Sequence, residues 1–152
     1  VSKEENLLKL VEADDTAETY HLQDQIGFVL RKANQRHIAI FTARLADLTP
    51  PQFAALAKLH EGGKTAQSQL GASIAMDAAT IKGVIDRLKA RGLVRLGRHE
   101  IDRRRLMVDL TAEGRTMIEN LIPLAREITS ETLAPLTAKE AVSLMRLLTK
   151  IA

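Results

Sequence analysis

Along residues 20–45, Leu22, Ile26, Val29, Leu30, Ala33, Ile40, Phe41 and Leu45 recur every three or four positions, with His37 on the same stripe. This spacing predicts one amphipathic helix of about seven turns. Gly27 lies inside it at some cost in helix propensity. Thr49-Pro50-Pro51-Gln52 marks the next start: Thr49 can cap, Pro50 fits the first helical position and Gln52 completes a capping box. That helix is predicted to reach Glu61 and stop at Gly62-Gly63. Thr65 then reads as the cap of a short helix over 66–72, and Asp77 as the cap of a helix that ends at Arg91-Gly92. In the second of these, Ile81, Val84, Ile85 and Leu88 keep helical spacing.

The period then shortens. Residues 93–97 and 105–110 read as strands, with Leu106, Val108 and Leu110 alternating with Met107 and Asp109. Thr111-Ala112-Glu113-Gly114 opens a helix through Ile118, Leu121 and Ile122, with Pro123 as a point where it can bend. Thr137 and Glu140 form a second capping box before a terminal helix carrying Val142, Leu144, Met145, Leu147 and Leu148. Residues 4–11 suit a short acidic helix. The expected fold is mainly α with a small two-stranded wing (α+β). Helical regions over 1–46 and 113–152 flank a smaller α/β lobe over 47–112.

Composition narrows the function. A chain of 152 residues, 45% hydrophobic but only 3% aromatic, suits one compact unit with a core of Leu, Ile, Val and Ala. Without cysteine it has no disulfide, thiolate nucleophile, thiol redox sensor or cysteine zinc site. No apolar run approaches the roughly 20 residues of a membrane span and no signal peptide is evident, so a soluble cytoplasmic protein is expected. His21, His37, His60 and His99 are scattered. Glu61-Gly62-Gly63-Lys64 lacks the spacing and the following Ser/Thr of a phosphate loop and reads as a helix stop. His60 and Glu61 lack further metal ligands nearby. No catalytic residue, cofactor or metal is expected, and an enzyme is disfavoured.

Charge placement says more than the net charge of +3. The first 25 residues hold seven acids against two lysines, whereas residues 91–111 hold six arginines (91, 95, 98, 103, 104, 105) against Glu100, Asp102 and Asp109. A cationic hairpin directly after an amphipathic helix is the layout of a winged helix-turn-helix, and a basic face suits a polyanion. In the helix pair beginning at Gln67 and Ser68, Leu70 and Ile74 can pack on Ile81 and Val84. Ala78, Ala79, Thr80, Lys82 and Gly83 are then left near the outer N-terminal part of the second helix, where such proteins read bases. Small residues let that helix sit deep in the major groove, and Thr80 and Lys82 can bond bases or phosphates. At the hairpin tip are Arg98, His99, Arg103 and Arg104. Arginine suits a narrow, electronegative minor groove and forks onto phosphate. Asp102 makes sense as the orienter of Arg104 through a short ion pair. Arg91, Arg95 and Arg105 have weaker claims, since they lie at or within the flanking elements and can serve packing or salt bridges. The plain alternatives are a helical hairpin with a solvated face and a solvated charged turn.

Residues 22–121 resemble the MarR family of bacterial transcription regulators. The motifs are Leu48-Thr-Pro-Pro-Gln-Phe-Ala-Ala-Leu56, Gln69-Leu-Gly71, Val84-Ile-Asp-Arg-Leu88, Arg91-Gly-Leu-Val94 and Asp102-Arg-Arg-Arg-Leu-Met-Val-Asp-Leu-Thr-Ala-Glu-Gly114. The resemblance implies an intertwined winged-helix homodimer, an Asp102-x-Arg104 wing element with Arg104 entering the minor groove, and a ligand pocket between the dimer helices and the DNA-binding lobe. The residues also favour a dimer, because the long and terminal helices carry more Leu, Ile and Val than a lone extended lobe could cover. A symmetric dimer would address half-sites about one duplex turn apart, hence a pseudo-palindromic operator. The effector expected is a small aromatic acid, and the overall similarity suggests the regulators of aromatic or pyridine-carboxylate catabolism. An aromatic acid needs a cation or strong hydrogen-bond partner and apolar walls. The candidates are Tyr20, His21, Arg31, His37, Phe41, Phe53 and Arg44. For His37 the alternative is a core or interface histidine, and for Arg31 and Arg44 a surface or dimer salt bridge. Non-specific DNA compaction or a protein-interaction module is the competing function.

Overall fold

The computed structural model describes residues 3–5 and 19–152. The chain falls into two compact units, Val1–Arg36 and His37–Ala152. Residues 3–5 are helical, and the rest of the acidic helix expected over 4–11 lies outside the described residues.

Helix α1 is Ile26–Arg44, shorter than the seven turns its stripe predicts. It is preceded by a 3-10 turn, Leu22–Asp24, and an extended Gln25 at φ −85° and ψ 138°. The Gln25 side chain holds this bend by donating to the His21 carbonyl at 3.2 Å. The apolar spacing runs across the bend in phase, so the pattern alone gives no sign of it. In the first unit Tyr20, Leu22, Ile26, Val29 and Leu30 are all exposed.

The second unit holds the core. Helix α2, Pro50–Gly62, starts at the full Thr49/Gln52 capping box with Pro50 in its first turn, and ends at Gly63 with φ 74°. Strand β1 is Thr65–Ala66. Helix α3, Gln67–Ser73, has Ala66 rather than Thr65 at its cap. Thr65 is not a cap because its backbone joins a sheet: Thr65 and Ala66 pair antiparallel with Val108 and Met107. The wing is thus part of a three-stranded sheet, in the order Thr65–Ala66, Leu106–Leu110, Val94–Arg98, rather than a two-stranded hairpin alone. Helix α4, Ala78–Ala90, is capped by Asp77, whose carboxylate accepts from the Thr80 N–H at 2.7 Å. That bond is the main reason the Asp77 carboxyl titrates below its ordinary range. Gly92, at φ 73°, supplies the left-handed turn into β2, Val94–Arg98. Strand β3 is Leu106–Leu110, with Val94 opposite Leu110 and Arg98 opposite Leu106.

Helix α5, Ala112–Leu133, runs through Pro123 without interruption, although that proline cannot donate to the preceding turn. Helix α6, Ala138–Ile151, begins at the expected Thr137/Glu140 box. Leu56, Leu59, Leu70, Ile81, Ile85, Leu88, Val108 and Ile118 are fully buried together, so α2–α5 and the sheet share one core. Phe41, Leu45 and Ile128 form a second, smaller cluster that Phe53 also joins. Helix α6 buries none of its residues: Val142, Leu144, Met145, Leu147 and Ile151 are exposed. An amphipathic helix with an uncovered apolar face is incomplete as a single chain.

Candidate nucleic-acid interface

The helix pair α3–α4 is fixed by close backbone approach. A side chain at Gly71 would press on Ile81 at 3.0 Å and on the Met76 carbonyl at 3.2 Å, so glycine lets the helices meet. The turn between them is closed by the Met76 N–H donating to the Gly71 carbonyl at 2.8 Å, with Ala75 in the left-handed region at φ 56°. Ile81, Val84, Ile85 and Leu88 anchor α4 inward. Its opposite face leaves Ala78, Ala79, Thr80 and Lys82 exposed, as the spacing predicts, with Ser68 exposed and Gln67 half-buried on α3.

Two details of α4 differ from the simple picture. The Lys82 ammonium is engaged by Asp86 at 2.7 Å, one turn on, so an anion has to compete for it. This i,i+4 pair is exposed and therefore weak. Gly83 is half-buried because the Arg87 guanidinium folds back over it, 3.3 Å from where a Cβ would stand. Arg87, Thr80, Ala79 and Gly83 border an open groove of about 530 Å³ whose other wall is Thr49, Pro51 and Gln52. The α2 end offers an anion little: Pro50 and Pro51 have no N–H, the Gln52 N–H goes to the Thr49 hydroxyl and the Phe53 N–H to the Thr49 carbonyl. The groove's positive group is Arg87, which lies within the Val84–Leu88 motif but has no role assigned by it. Its spacing of seven from Thr80 and four from Gly83 puts all three on one helical face.

At the wing, Arg104 donates to the Asp102 carboxylate through its backbone N–H at 3.2 Å and through Nε at 3.4 Å. The Arg104 side chain is 93% exposed, so the expected Asp102–Arg104 pair is present and projects into solvent. Arg98 and Arg103 are exposed beside it. Two of the three arginines with weaker claims have structural partners: Arg95 pairs with Asp109 across the strands at 3.0 Å, and Arg91 donates to the Asp47 carbonyl. His99 is turned inward to the wing's own backbone and accepts from the Ile101 and Asp102 N–H groups.

The expected ligand residues divide between the units. In the first, Tyr20 and His21 are exposed and Arg31 stacks over Phe28 at 5.6 Å. In the second, half-buried His37 bonds the Thr132 hydroxyl through Nδ1 at 2.8 Å, and Phe41 meets Phe53 edge-on with ring centres 6.0 Å apart. Arg44 is clamped by Glu127 at 2.8 Å and Glu131 at 2.7 Å, so it ties α1 to α5 within the chain. Its guanidinium pKa is raised by the bond to Glu131 first. No cluster of His, Cys, Asp or Glu suited to a metal occurs among the described residues. Among them, no helix is long and apolar enough to cross a membrane.

Residues 48–106, from the approach to α2 to the start of β3, match the model of the MarR family. The chain is 42% identical over 134 residues to the HTH-type transcriptional repressor NicR of Pseudomonas putida, covering 87% of this chain and 85% of that one. It superimposes with a TM-score of 0.85 on a probable transcriptional regulator from Pseudomonas aeruginosa, at 48% identity and covering 87% of this chain and all of that one. A TM-score of 0.84 at 40% identity relates it to Bordetella bronchiseptica BpsR, whose DNA binding is described as regulated by 6-hydroxynicotinic acid; the match covers 87% of this chain and 96% of that one. The chain therefore belongs to the MarR family of transcription regulators.

Proposed function

We propose that the protein is a homodimeric, sequence-specific repressor whose hold on a pseudo-palindromic operator is released by a small aromatic or pyridine carboxylate. The observation that carries the DNA reading is the shared exposure of the outer face of α4, which the buried core anchors, and of Arg104 at the wing tip. Thr80, with Ala78 and Ala79 beside it, is the base-reading part; Gln67, Ser68, Lys82, Arg98 and Arg103 contact backbone or flanking bases. The uncovered face of α6 supports a dimer built from the helical regions over 1–46 and 113–152, with the lobe over 47–112 reading DNA. The cytoplasm is the compartment that suits this role.

Arg87 joins that set as a phosphate-binding residue. In Arg87→Ala, operator and scrambled duplex are expected to weaken by a similar factor, with the salt slope falling by about one for each phosphate no longer neutralised. A weakening confined to the operator would instead make Arg87 a base reader.

The effector class rests on the likeness to BpsR. His37 is its proposed polar anchor, with Tyr20, His21, Arg31, Phe41 and Phe53 as further candidates. Thr132 holds the ring by Nδ1 and leaves Nε2 for a carboxylate. A thermal-shift screen of aromatic and heteroaromatic acids, 6-hydroxynicotinic acid included, followed by release from labelled operator, tests this reading. A raised unfolding temperature together with operator release is expected. A chain that no such acid shifts or releases is not regulated this way. His37→Ala is expected to weaken the response to any hit about tenfold while sparing DNA binding, the scale of one hydrogen bond to a charged group. An unchanged release curve would move the anchor elsewhere.

A further inference from the structure

The β2–β3 ladder closes at Arg98 and Leu106, and residues 99–105 form the wing tip. Such an exposed tip has no apolar core to hold it: Ile101 is 90% exposed. Its order comes from hydrogen bonds. The His99 N–H donates to the Arg105 carbonyl at 3.0 Å, and the Arg105 N–H donates to the Asp102 carbonyl at 3.0 Å. The Ile101 and Asp102 N–H groups, at 3.2 and 3.0 Å, converge on one atom, Nδ1 of His99. Asp102 then accepts from the backbone and Nε of Arg104.

We propose that His99 is a positioning residue for operator recognition: its Nδ1 gathers the tip backbone so that Asp102 presents Arg104. The inference rests on the reading of Arg104 as a DNA contact. Accepting two N–H groups requires an imidazole with Nδ1 unprotonated and its proton on Nε2. Nδ1 has one lone pair, so the two amides share it in a three-centre bond that biases the tip roughly two- to tenfold toward the closed form. Apparent affinity scales with the fraction of wings already in the competent form, so losing this shared bond weakens binding without removing any group that touches DNA.

A direct phosphate contact from the Nε2 side is the competing role, and side-chain chemistry separates the two. Asparagine keeps a short acceptor that can take the same two amides, as in an Asx turn, but has nothing at the far side of the ring. Leucine keeps bulk and has no acceptor. In titrations of labelled operator with the dimer, His99→Leu is expected to weaken binding about tenfold, and His99→Asn to stay within about twofold of native. In a double-mutant cycle, His99→Leu is expected to cost little once Arg104 is already alanine. Native-like binding by His99→Leu overturns the proposal. So does an asparagine variant as weak as the leucine one, or an undiminished His99→Leu cost in the Arg104→Ala background. If Arg104→Ala itself binds as native, the wing reading falls and this one falls with it, whereas weakened binding in Arg104→Ala with native binding in His99→Leu rejects His99 alone. Thermal unfolding of each variant verifies that the dimer is intact.

Discussion

Arg104→Ala is expected to lower operator affinity by more than tenfold and to leave thermal unfolding unchanged. The two halves have one cause. With its side chain 93% exposed, Arg104 has little packing to lose, and its only ion pair among the described residues is a 3.4 Å contact to Asp102. Exposed pairs of this kind contribute at most about 1 kcal/mol, and surface substitutions away from special features stay within roughly 0.5 kcal/mol. A side chain so dispensable to the fold and held so far into solvent is placed to act outside the chain, as proposed. One arginine bound to DNA is worth about 1–3 kcal/mol, and the proposed dimer is deprived of two at once. Lysine at this position keeps the charge but not the fork or the flat fit to a narrow groove, so Arg104→Lys is expected to fall between native and alanine. A gel-shift titration at fixed salt checks this, and near-native binding by Arg104→Ala would sink the wing assignment.

The wing pair was legible because it is local. Asp102 and Arg104 are two residues apart, and the capping boxes at Thr49 and Thr137 and the Asp77 and Gly92 helix ends span at most four residues. The amphipathic face of α4 was legible for a similar reason, since its spacing alone separates Ile81, Val84 and Leu88 from Ala79, Thr80 and Lys82. What the sequence hid depends on distance or on rotamers. Thr65 looks like a cap until Val108, far along the chain, turns its backbone into a strand. The bend at Gln25 hides within a stripe that stays in phase on both sides. The Arg95–Asp109 pair needs the strand register, and the Arg91 contact needs the loop at Asp47. His99 reads from the sequence as one more cation at the tip. Only the direction of its ring makes it an acceptor for backbone amides instead.

Gly114→Ala is expected to be the most damaging small substitution in the chain, destabilising by about 3 kcal/mol or more. Helix propensity argues for the opposite sign, since alanine in place of glycine inside a helix gains up to about 1 kcal/mol. Contact decides the matter. Gly114 is buried in the first turn of α5, where its N–H donates to the Thr111 hydroxyl at 3.0 Å. The same hydroxyl donates to the Gly92 carbonyl at 2.6 Å, and the Thr111 N–H donates to the Leu93 carbonyl at 3.1 Å. These bonds press the start of β2 against the start of α5, and a Cβ at Gly114 would overlap the Leu93 carbonyl oxygen and stand 2.9 Å from its carbon. The near end of a C–H···O approach is already about 3.3 Å, and both partners here are backbone, so no rotamer relieves the overlap. Overpacking of well-packed interiors costs typically 1–3 kcal/mol even where side chains can move. Relief requires the wing to shift away from α5, which also misplaces Arg104, so operator binding is expected to fall with stability. Gly27 is the control: it is also helical, but a Cβ there meets nothing within 4 Å. Gly27→Ala is therefore expected to be neutral or stabilising by up to about 1 kcal/mol. Urea unfolding of the two variants beside the native chain measures both signs, and a Gly114→Ala midpoint at or above native would show that this close approach does not exist in solution.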